Sequence, residues 1–223
     1  MNSIPLRTRI KFCGMTRPGD IRLACELGVD AIGLVFASGS ARQVAVHQAV
    51  ALREAVAPLV NTVALFQNNS YEEIIDIIRA FRPQILQFHG EEDDAFCDQF
   101  GLPYIKAVAM EESSDSAHSL KATQLHPGAR ALLLDSHATG GCGGSGQVFD
   151  WSQIPADMSK PFLLAGGLDP ENVAAAIETV HPWGVDVSSG IESAPGIKDG
   201  TLMQQFVEQV RAADQHAIAS YNN

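Results

Sequence analysis

The chain has 223 residues, 46% hydrophobic and 18% charged, a length and balance that suit one large domain with a sizeable core. Its formal net charge is -11, from 26 Asp and Glu against 15 Lys and Arg. That excess of acid argues against nucleic acid or an anionic membrane as partner, since both call for basic patches, but a small anionic ligand can still be held by a few local cations and backbone N–H groups.

The opening stretch, "MNSIPLRTRIKF", lacks the continuous apolar core of a secretion signal, and no apolar run approaches the ~20 residues of a membrane helix. Cys13, Cys25, Cys97 and Cys142 are scattered, with no CxxC pair and no neighbouring histidine ladder. Neither a disulfide framework nor a zinc site is expected, and a cytoplasmic setting follows as the default. The sequence is compatible with a monomer or a homodimer alike.

In chain order, short apolar runs alternate with stretches of helical period. The runs are "RIKFC", "AIGLVF", "NTVALF", "QILQF", "YIKAVA", "ALLLD", "PFLLA" and "GVDVS". Between them lie "DIRLACELG", "HQAVALREAVAP", "SYEEIIDIIRAF", "EEDDAFCDQFG" and "PENVAAAIETV", and "GTLMQQFVEQVRAADQHA" closes the pattern. Asp20, Ser70 and the pair Asp169-Pro170 supply helix caps or a first-turn proline, while Gly28 and Gly101 stand where helices should stop. The "EEDD" run reads as the acidic first turn of a helix. Strands that are continuously apolar belong to parallel sheets covered on both faces. Eight such runs predict a single (β/α)8 barrel over residues 1–223, with 1–8 as a lead-in and 218–223 as a frayed tail. An open doubly wound sheet is the less economical alternative.

In such barrels the loops beyond the strands' C-terminal ends build the site. This promotes Cys13, Arg42, His89, Asp135, Gly166-Gly167 and Ser189-Gly190, and leaves Cys25 and Cys97 as helix-borne apolar filler. The segments "LLAGGLDPENV" and "DVSSGIESAPG" follow the seventh and eighth runs, where barrels frequently hold phosphate on backbone N–H groups. "GCGGSG" (141–146) formally matches GxGxxG. It does not sit directly between strand and helix, so it reads as a mobile loop over the barrel mouth and not as a dinucleotide site.

Cys13 ends the first run and Asp135 the sixth. A ligand held by its phosphate at strands seven and eight would lie between a thiol and a carboxyl group, a base and an acid on opposite sides of one small molecule. Lys11, two residues before Cys13 on the same strand face, can lower the thiol's pKa, or that face can equally be buried core. Arg42 can clamp a carboxylate bidentately, or can be a solvated surface arginine. His89 fits a ligand contact or a structural role in its turn.

The motifs "KFCGMT", "GLVFA…SAR", "LQFHGEE", "LLLDS…GGSGQVFDW", "LLAGGLDPENV" and "DVSSGIESAPGIKD", spanning Lys11 to Asp199, resemble in order those of the phosphoribosylanthranilate isomerase family of tryptophan biosynthesis. The resemblance implies a single (β/α)8 barrel and an Amadori rearrangement with no cofactor and no metal. It implies Asp135 as general acid and Cys13 as general base. It implies substrate contacts from Arg42 on the anthranilate side and from His89, Asp186, Gly166, Gly167, Ser189 and Gly190. The chain departs from the family pattern at "SAR", where proline is common, at the polar "LFQNNS", and at the phenylalanine of "LQFHGE"; none of these removes a proposed catalytic group. Alternatives are a dual-specificity enzyme that also accepts a sugar-phosphate aminoimidazole of histidine synthesis, and a barrel that binds a phosphorylated metabolite without catalysis. An indole-glycerol-phosphate synthase would need lysine and glutamate at the strand ends that here carry Cys13 and Asp135.

Overall fold

The eight apolar runs become eight parallel strands that close on themselves: β1 (Arg9–Phe12), β2 (Ala31–Val35), β3 (Asn61–Phe66), β4 (Ile85–Phe88), β5 (Tyr104–Ala109), β6 (Ala131–Asp135), β7 (Phe162–Leu164) and β8 (Gly184–Val187). The structure is a computed structural model that describes residues 7–110, 116–136, 150–151, 154–155 and 158–221. Neighbouring strands pair in order around the ring, and β8 returns to β1 with Lys11 opposite Asp186. The expected barrel is therefore the observed one.

The runs are continuous because both faces of each strand are covered. One set of side chains packs outward beneath the helices, in a large core that includes Phe12, Phe66, Phe88, Leu132 and Leu134. The other set points into the barrel, where Ile105, Ala131, Leu133, Leu163 and Ala165 pack together. The interior also holds the buried polar residues Lys11, Gln87 and Asp186, carried by β1, β4 and β8. Charged and amide side chains buried inside an otherwise apolar barrel are the first sign of where chemistry is placed.

The helices are α1 (Pro18–Glu26), α2 (Val46–Arg53), α3 (Tyr71–Phe81), α4 (Asp94–Asp98), α5 (Ser116–Leu125), α6 (Val173–Val180) and α7 (Gly200–Tyr221). In α3 the reading of Ser70 as a cap holds in full. The Glu73 N–H donates to Ser70 Oγ (3.3 Å) and the Ser70 N–H to Glu73 Oε2 (2.9 Å), a capping box. Ile74, Ile77 and Phe81 then form its buried stripe. Gly28 and Gly101 both take left-handed φ (79° and 67°) beyond α1 and α4, as a helix stop requires.

Several expectations need correction. Asp20 does not start α1: Pro18 opens it, because proline's fixed φ suits the first helical position, and Asp20 lies in the first turn bonded to Arg17. Asp169 caps a turn ahead of α6, whose own N-cap is Asn172. The "EEDD" run is not one acidic turn. Asp93 caps α4, whereas Glu92 is buried against Lys106 at 3.1 Å. α7 extends to Tyr221, into the stretch expected as a tail. The lead-in is tied down at its end, where Thr8 donates through N–H and Oγ to Asp214 of α7. α5 has no counterpart in the sequence reading, its segment "SAHSLKATQL" being too poor in apolar residues to show a period.

A short antiparallel hairpin, β9 (Glu192–Ala194) and β10 (Ile197–Lys198), follows β8 through a 3-10 turn at Ser189–Ile191. Pro195-Gly196 makes its tip, with Gly196 at φ 77°. Proline followed by a left-handed glycine is the demand of a type II turn.

Candidate active site

At the C-terminal mouth of the barrel lies a cavity of 660 Å³. Its wall includes Cys13, Arg42, His89, Asp135, Gly166, Gly167, Asp186 and Ser189, eight of the nine residues singled out from the sequence. Gly190 is not in the wall and acts behind it. The segment 137–149, with Cys142 and the "GCGGSG" loop, lies outside the described residues.

Cys13 stands one residue beyond β1 and is 5% exposed, its N–H donating to Val187 O at 2.9 Å. Val35, Ala37 and Leu65 form an apolar wall around it. Burial pushes its thiol up; Lys11 works against that rise, and Asp186 reinforces it. Lys11 is itself buried, with Nζ donating to Asp186 Oδ1 at 2.7 Å. Burial alone would depress its ammonium, but Asp186 and then Cys13 outweigh burial and hold it up at about 12. The two groups meet over Gly33. A Cβ at that position would sit 2.8 Å from Cys13 Sγ and 3.1 Å from Lys11 Nζ. The expected neighbour of the thiol is thus in place, shared with Asp186.

Asp135 ends β6, separated from β1 around the ring by the two strands β7 and β8. His89 Nε2 stands 3.4 Å from Asp135 Oδ2. On its other side His89 Nδ1 lies 3.4 Å from Gln87 Nε2. A Cβ on Gly166 would sit 2.7 Å from Asp135 Oδ1, so glycine there lets the β7 loop pass close to the carboxyl group. Gln87 is fully buried, and its Oε1 accepts no hydrogen bond from the described residues although Gln87 lines the cavity.

The two glycine loops, after β7 and β8, sit between these two groups. Gly166 and Gly167 both adopt left-handed φ (81° and 66°), turning the β7 loop beneath the cavity. No acceptor among the described residues takes the N–H of either glycine. The Asn172 side chain holds the loop from below by donating to Gly167 O at 2.8 Å. Gly190 packs against the Leu168 carbonyl and leaves only 3.0 Å between an added Cβ and Asp169 Cα, so the β7 and β8 loops touch directly.

Arg42 lies in the loop after β2, its side chain 13% exposed. It clamps a carboxylate as its residue type allows, but one of this chain: Nε donates to Glu192 Oε1 (2.9 Å) and Nη2 to Glu192 Oε2 (2.7 Å). Gly14, at φ 69°, makes room for the arginine stem, since a Cβ there would lie 3.3 Å from Arg42 Cβ. On the far side Lys198 Nζ donates to Glu192 Oε1 at 2.7 Å. Burial works to raise Glu192, yet Arg42 and Lys198 outweigh it and hold the carboxyl below its ordinary range.

Sequence reasoning missed Gly33, Gln87, Glu192 and Lys198. Pro195-Gly196 is a turn signal that could have found the hairpin carrying the last two, but the partners of a buried pair leave no mark in local sequence. Among the described residues no three His, Cys, Asp or Glu side chains are grouped to hold a metal. What the site can do is proton transfer at two points on an anion held between them, with a thiol on one wall and a carboxyl group on the other.

Residues 10–209 match the family model described as N-(5'phosphoribosyl)anthranilate (PRA) isomerase. A relative named N-(5'-phosphoribosyl)anthranilate isomerase, from Xanthomonas euvesicatoria pv. vesicatoria, is 58% identical over 98% of this chain and 100% of its own length. One of the same name from Xylella fastidiosa is 59% identical over 96% of each. The crystal structure of phosphoribosyl anthranilate isomerase from Thermotoga maritima superimposes with a TM-score of 0.83 at 33% identity, covering 92% of this chain and 99% of that one. Another phosphoribosyl anthranilate isomerase structure, in complex with reduced 1-(o-carboxyphenylamino)-1-deoxyribulose 5-phosphate, matches with a TM-score of 0.80 at 33% identity, over 92% of this chain and 99% of that one. With the family model matched over residues 10–209 and relatives 58% and 59% identical over nearly the whole chain, the chain belongs to the N-(5'-phosphoribosyl)anthranilate isomerase family.

Proposed function

We propose that this chain isomerises N-(5-phosphoribosyl)anthranilate to 1-(2-carboxyphenylamino)-1-deoxyribulose 5-phosphate, in the cytoplasm and as a step of tryptophan biosynthesis. The observation that carries the reading is the placement of Cys13 and Asp135 in one cavity with the two glycine loops between them. The substrate's phosphate lies on the N–H groups of Gly166-Gly167 and Ser189-Gly190, and Asp186 and His89 face the sugar. Arg42 faces the anthranilate carboxylate.

Asp135, protonated, gives its proton to the furanose ring oxygen as the bond from that oxygen to C1 breaks. The nitrogen lone pair moves into the C1–N bond and leaves an open-chain iminium. The Cys13 thiolate then removes the proton from C2, and its electron pair forms the C1–C2 double bond while the iminium electrons return to nitrogen. Protonation of the resulting enolamine at C1, with loss of the C2 hydroxyl proton, gives the ketone. General acid and base contributions of this kind amount to ~10²- to 10⁴-fold each. The charge on Lys11 favours the thiolate that the second step needs, against the effect of burial. No step calls for a metal or a cofactor.

Purified protein should consume freshly made N-(5-phosphoribosyl)anthranilate, read as loss of its fluorescence, in the presence of a chelator. Absence of turnover would refute the reading and leave the barrel as a binding protein. A need for stoichiometric metal would refute the cofactor-free mechanism. The same assay with the sugar-phosphate aminoimidazole of histidine synthesis separates a single-substrate from a dual-specificity enzyme.

A further inference from the structure

Arg42 enters the site already bound to a carboxylate of its own chain, which is an unexpected state for a group meant to receive another. A simple Arg–Glu pair has no net charge and would attract a substrate carboxylate weakly. The structure resolves this with a second cation. Lys198, its side chain fully buried, donates to Glu192 Oε1 at 2.7 Å from the side opposite Arg42. With Lys198 protonated the trio Arg42–Glu192–Lys198 carries one net positive charge; burial lowers the lysine's pKa and Glu192 opposes that fall, and Arg42 and Glu192 are the members that line the cavity.

The remaining bonds of Lys198 are spent on the backbone, where Nζ donates to Ser188 O at 2.9 Å and approaches Ser188 Oγ at 3.4 Å. Ser188 Oγ in turn donates to Cys13 O at 3.1 Å. At its other end β10 is anchored to α1, the Lys198 N–H donating to Asp20 Oδ2 at 3.2 Å. One connected network thus ties the guanidinium of Arg42 to the end of β1 that bears the thiol. Burying a lysine and a glutamate contributes little stability of itself, because desolvation of two charges offsets their attraction. Such a pair is better explained by what it holds still. The fork geometry of guanidinium and carboxylate fixes the plane of Arg42 through two parallel bonds, which a single contact cannot do.

We propose that Glu192 is a positioning residue, buttressed by Lys198, that fixes the Arg42 guanidinium for the carboxylate of the substrate and so selects carboxylated over uncarboxylated N-aryl ribosylamine phosphates. The proposal rests on the reading of Arg42 as the carboxylate's partner. It predicts an effect concentrated on that carboxylate, since Glu192 bonds neither Cys13 nor Asp135 directly and reaches the end of β1 only through Lys198 and Ser188.

The test is steady-state kinetics on N-(5-phosphoribosyl)anthranilate and on its aniline counterpart, which lacks the carboxylate. Where the aniline compound turns over too slowly, its Ki as a competitive inhibitor replaces its KM. Glu192→Gln should raise KM for the anthranilate substrate by about tenfold with kcat changed less than about threefold, the pattern of a lost ground-state contact. The aniline constant should move less than about twofold, and on an Arg42→Ala background Glu192→Gln should add nothing. A rise shared by both compounds, or one that persists without Arg42, would mean that Glu192 is merely structural and would overturn the proposal. If Arg42→Ala leaves KM unchanged, the reading of Arg42 fails and this proposal with it. If Arg42→Ala raises KM while Glu192→Gln does not, this proposal alone fails. Should the glutamine variant not fold, Glu192→Asp keeps the charge beside Lys198 but withdraws it by one methylene; it should show a smaller rise with the same selectivity, and no rise would overturn the proposal.

Discussion

Replacing Lys11 by methionine would remove the ammonium that Asp186 and Cys13 share while leaving a stem of similar shape. The folded protein holds that ammonium at about 12 against an ordinary 10.5, a difference equivalent to ~2 kcal/mol of preference for the charged form. A raised pKa in the folded state stabilises at every pH below the unfolded value. The contribution is therefore complete at pH 7, begins to fall near 10.5 and is gone once the pH passes about 12. Removing the lysine also leaves Asp186, 8% exposed, without its 2.7 Å partner. Loss of one member of a buried pair costs ~3–5 kcal/mol, but Asp186 borders the cavity and can be reached by water there, so we expect ~2–4 kcal/mol at pH 7. Urea unfolding of Lys11→Met against the parent at pH 7 and again at pH 11.5 measures it, and the difference between the two proteins should shrink at the higher pH. The thiol provides an independent readout. Lys11 opposes the rise that burial imposes on Cys13, so without it the alkylation rate of Cys13 by iodoacetamide should need a higher pH to reach half its maximum, with a Cys13→Ser protein as background for Cys25, Cys97 and Cys142. Stability within ~0.5 kcal/mol of the parent at pH 7, with an unshifted alkylation profile, would refute the assignment of Lys11 as the charge that serves the thiol.

Gly33→Ala would place a Cβ 2.8 Å from Cys13 Sγ, about 1 Å inside normal contact; we expect a stability loss of ~1–3 kcal/mol and a kcat lowered by ~10²-fold, measured by thermal unfolding and turnover. Gly190→Ala would press on the Leu168 carbonyl and part the two phosphate loops, so both KM and the Ki for inorganic phosphate should rise together, by about tenfold or more, while kcat changes little. An unaltered Ki for phosphate would show that the anion is held elsewhere.

The strands were legible because a parallel barrel buries both faces of each one, so that "ALLLD" and "NTVALF" are apolar without alternation. α3 was legible because Ser70 and Glu73 stand three residues apart ahead of a clear stripe. α5 was not, since its segment "SAHSLKATQL" carries little apolar surface and its own small Ala122 is buried there without making a visible stripe. Within the site, the residues at strand ends could be named from position alone. Their partners could not. Glu192 is 150 residues from Arg42, and Asp186 is 175 from Lys11, and no local pattern reports a contact across such a separation. Gly33 has the same character. It reads as one more small residue in "AIGLVF", and only the closed ring shows that Cys13 and Lys11 need the space a side chain would fill. Glu92 was misread for a related reason, because an acidic run looks solvated until Lys106 is found beneath it.

The central claim is that Cys13 and Asp135 carry the two proton transfers, and single-turnover and steady-state assays of Cys13→Ser and Asp135→Asn on N-(5-phosphoribosyl)anthranilate test it most directly. Serine keeps the shape of the side chain but is far too weak an acid to supply a ready base, and asparagine keeps hydrogen bonding without a proton to donate as an acid does. Each should lower kcat by ~10²- to 10⁴-fold, with KM changed little because the phosphate and carboxylate contacts are untouched. A Cys13→Ser protein that kept near-native kcat would contradict the account and return the thiol to a packing role.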